Sequence, residues 1–383
     1  MHLNTDDLSP FDSHRFCVAP MLDWTDRHCR FFHRQLSKHA RLYTEMVTTG
    51  ALIHGNQARH LDFNDCEHPV ALQVGGSDPA DLATVTKLAQ QWGYDEINLN
   101  CGCPSERVQK GAFGACLMAE PKLVAQCVSA MRDAAPIQVS VKHRIGLDEN
   151  ESLDFLVDFV GQVAQAGCQV FIVHARNAWL KGLSPKQNRE VPPLRYDRVQ
   201  SLKKIFPQLK FILNGGLDNF AQIESVLMGD QGRGHGLANE GHGMGDIVVD
   251  NAAFDATSTE ASPDAFCDGV MVGRKAYHDP YWLAQVDQRL FGSAAPVIQR
   301  SAVVEAMKAY VPLSLSRGAP PKSASRHMIG LFNGLPRARL WRQKLSEPRW
   351  MDADPVDGLA RALDVVLGNA DIDKFNQGVW AEA

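Results

Sequence analysis

No apolar run in this 383-residue chain reaches the ~18 residues that a helix needs to cross a bilayer. The stretch 1–16 is polar and includes Asp6 and Asp7, so we do not expect a secretory signal peptide there. There is no CxxC pair, which argues against a thioredoxin-like redox motif, and no GxGxxG follows an early strand, which argues against a Rossmann dinucleotide site. We therefore predict a cytoplasmic protein that is not bound to a membrane.

The chain has an ordinary globular composition, with 45% hydrophobic and 22% charged residues. Its nine cysteines are an odd number in a chain without a predicted export signal, so we expect reduced thiols. The net charge of −5 is uneven, because the segment 300–350 holds ten Lys and Arg against only Glu305 and Glu347. This local charge of +8 indicates a surface that meets a polyanion, although a solvated helical surface would explain it equally well.

Eight short β-rich runs recur along the chain, most of them near-continuous apolar stretches typical of parallel strands buried on both faces. Helix-like patterns alternate with them, and eight βα units over about 260 residues predict an α/β fold of the (β/α)8 TIM-barrel type. A doubly wound sheet is the alternative, but it rarely needs eight evenly spaced units. The predicted strands are 16–21, 41–47, 70–76, 95–102, 137–144, 169–176, 210–216 and 268–274.

The pattern divides the chain into a barrel domain, 1–295, and a small helical domain with a C-terminal tail, 296–383. One stretch departs from the barrel spacing: 229–263 is rich in glycine and acidic residues, and we predict that it is a mobile insertion. We interpret His235 and His242 within it as loop histidines rather than metal ligands.

Polar residues stand at the ends of nearly all predicted strands, where barrel enzymes build their active sites. A single His there would more often be a core residue and a single Lys a surface charge, but a whole set converging on one mouth indicates a functional site. The set comprises Met21, Glu45, Gln73, Asn98, Asn100, Lys142, His174, Asn214, Gly215, Gly216, Gly273 and Arg274.

The chemistry of this set predicts a site for flavin mononucleotide, FMN. The glycines after the seventh strand, with Gly273 and Arg274 after the eighth, offer backbone N–H groups and a guanidinium to a phosphate. Gln73 offers an amide to a ring edge, and Lys142 offers a positive charge to the anionic N1–C2 region of a reduced flavin.

The two cysteines in "NLNCGCPS" raise three possibilities: metal ligands, a redox pair, or one catalytic thiol with a bystander. A zinc site usually needs about four ligands, with two to four residues between paired cysteines, whereas only Gly102 separates Cys101 from Cys103 and no partner pair is present. A disulfide between positions i and i+2 is rare. One catalytic thiol remains, and Cys103 is favoured because it lies on the loop beyond the strand. An ordinary thiol, with a pKa of about 8.5, keeps its proton at neutral pH and suits a general acid in the reduction of a C=C bond. An inert structural cysteine is the alternative.

The motifs "APMLDWTDRHCR", "NLNCGCPS", "GACLM", "VKHRIG", "HARNAWLKGLSP", "NGG" and "DGVMVGR" resemble those of the tRNA-dihydrouridine synthases, over about 16–350. "YTEMVTTGALIHG" and "GLSPKQNREVPPLRY" resemble the bacterial subfamily acting on uridines 20 and 20a of the D-loop. The resemblance implies an FMN barrel, a helical domain that grips tRNA, and NADPH, or less efficiently NADH, as reductant. It also implies that uracil C6 receives hydride from reduced FMN and that C5 receives a proton from the loop cysteine.

Carried over residue by residue, the resemblance makes Cys103 the proton donor and implies neither a metal nor an obligate protein partner. The implied FMN contacts are Pro20, Met21, Leu22, Gln73, Lys142, His174, Asn214, Gly215, Gly216, Gly273 and Arg274. The implied tRNA contacts are Asn100, Lys186, Arg189, Arg326 and Arg339.

Two rival functions stay open. A small-molecule flavin barrel, such as a dihydroorotate or dihydropyrimidine dehydrogenase, would share the barrel and the cysteine but would not need a basic helical domain. A tRNA-binding protein with a vestigial barrel is the rival from another class. The intact set of Cys103, Lys142, His174 and Arg274 argues against that second rival.

Overall fold

The computed structural model describes residues 12–105, 108, 111–228, 266–348 and 354–368. The predicted insertion, 229–263 with His235 and His242, lies outside the described residues, as does most of the C-terminal tail.

Parallel strands close into the barrel that the sequence predicts. They pair in the order β2-β1-β9-β8-β7-β6-β5-β4, and pairing of β2 with β4 completes the ring, while the two-residue β3 adds to β4. A closed ring excludes the doubly wound alternative, so the predicted TIM barrel is confirmed. The strands are β1 (Phe16–Val18), β2 (Arg41–Tyr43), β3 (Val47–Thr48), β4 (Val70–Gly75), β5 (Glu96–Cys101), β6 (Gln138–Arg144), β7 (Val170–His174), β8 (Lys210–Asn214) and β9 (Gly269–Val272).

Helices surround the ring and continue beyond it, and several begin at side-chain caps visible in the sequence. Asp78 caps α4 by accepting from the backbone N–H groups of the first turn, and Ser152 caps α6. Among the described residues, no helix is both long and apolar enough to span a membrane. The helices are α1 (Arg27–Leu36), α2 (Thr49–His54), α3 (Gln57–Leu61), α4 (Pro79–Gln91), α5 (Pro121–Ala134), α6 (Leu153–Gln165), α7 (Tyr196–Ile205), α8 (Phe220–Met228), α9 (Arg274–His278), α10 (Val286–Phe291), α11 (Arg300–Ser316), α12 (Lys322–Ser325), α13 (Ala338–Ser346) and α14 (Pro355–Leu367).

Two expectations need correction. The strand predicted over 41–47 is broken, because Tyr43 ends β2 and pairing resumes only at Val47 in β3. The run "KAYHDPYWLAQVDQRLFG" after the eighth barrel strand has a pattern that predicts a helix, but that helix is also interrupted: α9 ends at His278, and a 3-10 helix, Pro280–Gln285, separates it from α10. Proline lacks the N–H that a continuous α-helix would need at that point. The domain boundaries 1–295 and 296–383 stay a prediction.

The barrel interior has an apolar side and a polar side. Side chains alternate between the inside and the outside of a barrel strand, so β5 turns Glu96, Asn98 and Asn100 inward and leaves Ile97 and Leu99 in the core under the helices. The apolar interior cluster consists of Cys17, Ala19, Tyr43, Ala71, Val170, Ile172, Ile212 and Met271. Polar interior residues are therefore concentrated on the strands next to the predicted site.

Asp26 connects the barrel to the C-terminal helices. Its carboxylate caps α1 and also contacts Arg326 Nη2 at 2.5 Å and His327 Nε2 at 3.0 Å. Burial alone would raise the pKa of Asp26, but its hydrogen bond to His327 and the charge of that residue outweigh burial and hold the pKa below its usual range. Nearby, the rings of Phe31 and Tyr310 stack 3.9 Å apart.

Replacing Asp26 by asparagine is expected to lower the free energy of unfolding by about 1–2 kcal/mol at pH 7, because asparagine can cap α1 but cannot pair with a cation. The folded-state pKa lies below the unfolded value of about 3.9, so this stability is present above that pH and is lost as the pH falls. Urea unfolding at pH 7 and pH 3.5 should therefore show a deficit that shrinks in acid. Asp357→Asn, which removes an exposed pair with Arg361, is the control; an equal Asp26→Asn deficit at both pH values would contradict the assignment.

Candidate active site

The strand ends bring Lys142 and Asn214 together at the barrel mouth, meaning the end where the strands finish. Lys142 Nζ donates to Asn214 Oδ1 at 3.1 Å, and Asn214 Nδ2 donates to the backbone oxygen of Met271 at 2.7 Å, so β6, β8 and β9 are joined. Burial, with the charge of Arg144 as a second cause, lowers the pKa of Lys142 to about 7. An anion at the mouth would restore the full charge of this lysine.

A second cation, Arg144, lies beside Lys142 and is almost fully buried. It donates to three backbone oxygens, those of Gly102 at 3.1 Å, Asn177 at 3.2 Å and Asn188 at 2.9 Å. Burial lowers its pKa to about 10, which leaves it charged at neutral pH. No carboxylate of the described part of the chain comes within 4 Å of it. Buried positive charge without a counter-charge favours an anionic ligand.

His174 ends β7 beside Asn214. Burial, followed by the charges of Arg144 and Lys142, lowers the pKa of His174 well below its ordinary value. Its imidazole is therefore neutral at physiological pH, and it can donate one hydrogen bond and accept another.

Two glycines, Gly215 and Gly216, follow β8. Gly215 has φ +116° and Gly216 has φ +72°, and the Gly215 carbonyl accepts from Tyr196 Oη at 2.6 Å. A Cβ on Gly215 would lie 2.9 Å from His174 Cδ2, so the space that glycine leaves is needed for the close approach of the histidine. Arg274, after β9, is half-exposed and pairs with Glu190 at 2.6 Å.

Gly215→Ala is expected to lower the free energy of unfolding by about 3 kcal/mol, because alanine adds a clash to an unfavourable φ. The matched control is Gly182→Ala, at φ +82° with no atom within 4 Å of its Cβ, which should cost about 1 kcal/mol of backbone strain alone. Denaturant unfolding of both variants measures the difference. Equal losses would show that His174 does not need the space at Gly215.

The two cysteines of the loop motif lie in different environments. Cys101 points outward into the core under the helices and is fully buried, which raises its pKa well above the ordinary value. Cys103 is half-buried on the loop, where its backbone N–H donates to Asn100 Oδ1 at 3.0 Å and its Sγ lies 3.5 Å from Ser105 Oγ. All nine cysteines are free thiols, and no three potential ligands converge on a metal position within the described ranges. Of the two cysteines, Cys103 is therefore the one with a partly accessible thiol, and its catalytic role stays a prediction.

The remaining predicted contacts are spread around the rim. Pro20 and Met21 are half-buried after β1, whereas Leu22 is 65% exposed, and Gly273 follows β9. Lys186 and Arg189 are exposed on the loop between β7 and α7. Arg339 is exposed on α13. Arg326 pairs with Asp26, so it has a contact inside the protein besides the one predicted with tRNA. The roles of these residues stay predictions.

The predicted site residues did not include several that the structure brings to the mouth or beneath it. Arg144 lies in the predicted strand 137–144 and in the motif "VKHRIG", and Glu190 lies in the motif "GLSPKQNREVPPLRY", but neither was predicted as a site residue. Glu96 and Ser140 form a hydrogen-bonded row with Asn98, which was in the predicted set, under Gln73. The alternation of polar and apolar residues in "EINLN" is the signal that could have indicated them, because period two along a barrel strand marks inward positions.

Comparison with known proteins identifies the family of this chain. The family model described as "Dihydrouridine synthase (Dus)" matches residues 17–233 and 252–361. The chain belongs to the dihydrouridine synthase family. This confirms the resemblance seen in the motifs and, with it, the prediction that the protein is an oxidoreductase.

Similar proteins carry the name tRNA-dihydrouridine(20/20a) synthase. One from Pseudomonas aeruginosa is 49% identical over 356 residues, covering 93% of this chain and 96% of the relative. Others are 51% identical in Vibrio parahaemolyticus, covering 91% and 96%, and 52% identical in Shewanella oneidensis, covering 87% and 88%. A solved structure of 2-naphthoyl-CoA reductase with 2-naphthoyl-CoA matches with a TM-score of 0.51 at 9% identity. It covers 72% of this chain and 50% of that chain, and it supports the fold alone.

Proposed function

We propose that this dihydrouridine synthase family member reduces the C5=C6 bond of uridines 20 and 20a in the tRNA D-loop to 5,6-dihydrouridine. One observation carries the proposal: a half-buried thiol, Cys103, lies on the loop at a barrel mouth that also holds Lys142, Arg144 and neutral His174. Relatives about 50% identical over most of the chain bear the name of this activity.

The residues of the mouth fit FMN. Gly215 and Gly216 present backbone without side chains after β8, and Arg274 follows the neighbouring strand β9 with a guanidinium, which suits a phosphate. Lys142 and Arg144 supply positive charge that no carboxylate of the described residues pairs with, which suits an electron-rich ring. When bound, FMN supplies the hydride that uracil C6 receives, after reduction by NADPH or NADH.

Cys103 completes the reduction by giving its Sγ proton to C5 of the uracil, so that one hydride and one proton are added across the double bond. Its backbone is held at two points, through its N–H to Asn100 Oδ1 and through its carbonyl oxygen to the N–H of Ala115 at 2.9 Å. This anchoring positions the thiol before the substrate arrives, which is how a general acid gains efficiency. Ser105 Oγ, 3.5 Å from the sulfur, orients the thiol further.

Exposed arginines in the helical region offer a surface for the tRNA backbone. Arg317, Arg339 and Arg342 are all exposed there. A cleft of about 700 Å³ beside the mouth, between α1, α3 and the segment after α11, adds Arg27 and Arg59 to its lining. The target uridine must leave the tRNA elbow to reach Cys103, at a cost of a few kcal/mol that phosphate contacts offset. We therefore expect tRNA binding to weaken steeply with salt.

The deciding experiment is anaerobic. The purified protein is loaded with FMN and reduced with NADPH until the flavin absorbance is bleached, and then either unmodified tRNA or free uridine is added. Rapid return of the oxidised spectrum with tRNA alone, with dihydrouridine mapped to positions 20 and 20a, is the expected result. Return with free uridine would instead indicate a small-molecule reductase, and return with neither would indicate a vestigial barrel.

A further inference from the structure

A continuous row of hydrogen-bonded polar side chains runs inside the barrel and ends at the mouth. Ser140 Oγ donates to Glu96, and Asn98 Nδ2 donates to Ser140 Oγ at 2.7 Å. Gln73 Nε2 donates to Asn98 Oδ1 at 2.8 Å, and Asn100 Nδ2 donates to Gln73 Oε1 at 3.0 Å. We call these five residues the amide row. Apart from Asn100, which is 8% exposed, its members are at most 1% exposed.

The upper end of the row holds the loop that carries the thiol. Asn100 Oδ1 accepts from the backbone N–H of Gly102 at 3.1 Å and from that of Cys103 at 3.0 Å. Backbone N–H groups only donate, so this end requires an oxygen of Asn100.

The lower end of the row, at Glu96, independently requires the same direction of hydrogen bonding. Although burial alone would raise the pKa of Glu96, the charges of His14 and Arg41 outweigh it and lower the pKa to about 2, so its carboxylate only accepts. It accepts from His14 Nε2 at 2.6 Å and from Tyr43 Oη at 2.7 Å as well as from Ser140. Both ends require the same direction of hydrogen bonding. A side-chain amide in the row therefore cannot exchange its oxygen and nitrogen positions without placing two donors or two acceptors opposite each other.

We propose that Asn98 is a positioning residue for the reaction of this site: it sets which edges of Gln73 and Asn100 face the ligands, and through Asn100 it holds the Cys103 loop. Asn98 itself is fully buried, and its side chain is hydrogen-bonded to Gln73 and Ser140. The ligands named in this proposal rest on the proposed function. The hydrogen bonds of the amide row can be tested in protein that holds no ligand.

The row also restricts what Asn100 can recognise. Its Oδ1 already accepts two backbone N–H groups, and one of its two Nδ2 hydrogens goes to Gln73. Counting the contacts of the described residues, one N–H donor is left for a substrate, so Asn100 selects a carbonyl oxygen of the base and disfavours an amino group at the same position.

The first test uses protein without added cofactor and compares Asn98→Leu with Asn98→Asp. Leucine removes both hydrogen bonds at similar volume, whereas a buried, protonated aspartic acid can still accept from Gln73 and donate to Ser140. Hydrogen exchange with residue resolution at Gly102 and Cys103 should become at least tenfold faster in Asn98→Leu and change less than threefold in Asn98→Asp. The control is Ile212→Val, a substitution on the apolar side of the interior, which should leave both amides protected.

Unchanged exchange in Asn98→Leu, or equal acceleration in the control, would overturn the positioning role. If Asn98→Leu yields no folded protein, Ser140→Ala is the second variant. It deletes the hydroxyl that accepts from Asn98 Nδ2, and it should accelerate exchange at the backbone amides of Gly102 and Cys103. In FMN-loaded enzyme, Asn98→Leu should lower kcat at least tenfold with a smaller change in KM for tRNA, and Asn98→Asp should restore it. Absence of FMN binding by the wild type would refute the proposed function while leaving the exchange result valid.

Discussion

Cys103→Ala is expected to reduce turnover on tRNA by about 100-fold or more, because a positioned general acid contributes roughly two to four orders of magnitude. FMN binding should be unchanged, because the loop is held through the backbone N–H and carbonyl oxygen of Cys103, which alanine keeps. Single-turnover reoxidation of the reduced flavin by tRNA measures the chemical step directly, and absorbance titration measures FMN affinity.

Cys116→Ala is the matched control for this experiment. Cys116 is also a half-buried thiol on the segment after β5, but its Sγ donates to the backbone oxygen of Phe113 at 3.1 Å. The control should keep activity within about threefold of wild type, as expected for a substitution outside the reacting groups. Full activity in Cys103→Ala, or an equal loss in both variants, would remove Cys103 from its role as proton donor.

Lys142→Met is expected to weaken FMN binding by about 10- to 100-fold, because a charged hydrogen bond contributes roughly 1.5–3 kcal/mol. The pH dependence should change as well. The pKa of Lys142 is lowered to about 7 in the free protein, so above pH 7 an anionic ligand must take up a proton to restore the charge. Wild-type affinity should therefore fall between about pH 7.5 and 9, whereas the affinity of Lys142→Met should stay flat.

Isothermal titration at several pH values checks this prediction. Lys87→Met, on the exposed face of α4, removes the same charge away from the mouth and should leave both affinity and pH dependence unchanged. The same pH dependence in Lys142→Met and wild type would mean that another group, such as Arg144 or the ligand itself, sets the charge of the site.

Strand identity was the most predictable feature of the fold. Buried parallel strands need continuous apolar stretches, and the spacing of eight such stretches leaves few closed topologies. Strand ends were harder to predict. In the run 41–47, the side-chain Oγ1 of Thr44 accepts from the backbone N–H of Gln73, in place of a backbone oxygen that would continue the hydrogen-bond ladder. That contact joins residues 29 positions apart and has no local signature.

The sequence by itself determined the barrel, the polar residues at its mouth and the family, because these depend on local patterns and on motifs that few families share. It favoured Cys103 over Cys101 only by position on a loop. Tertiary structure added that the Cys101 thiol is buried in the core and that the Cys103 thiol is half-buried. The burial of Arg144 away from every carboxylate of the described residues, and the direction of hydrogen bonding in the amide row, were decided by tertiary structure alone. Both arise from groups on different strands, and hydrogen-bond direction and desolvation depend on which neighbours the closed barrel supplies.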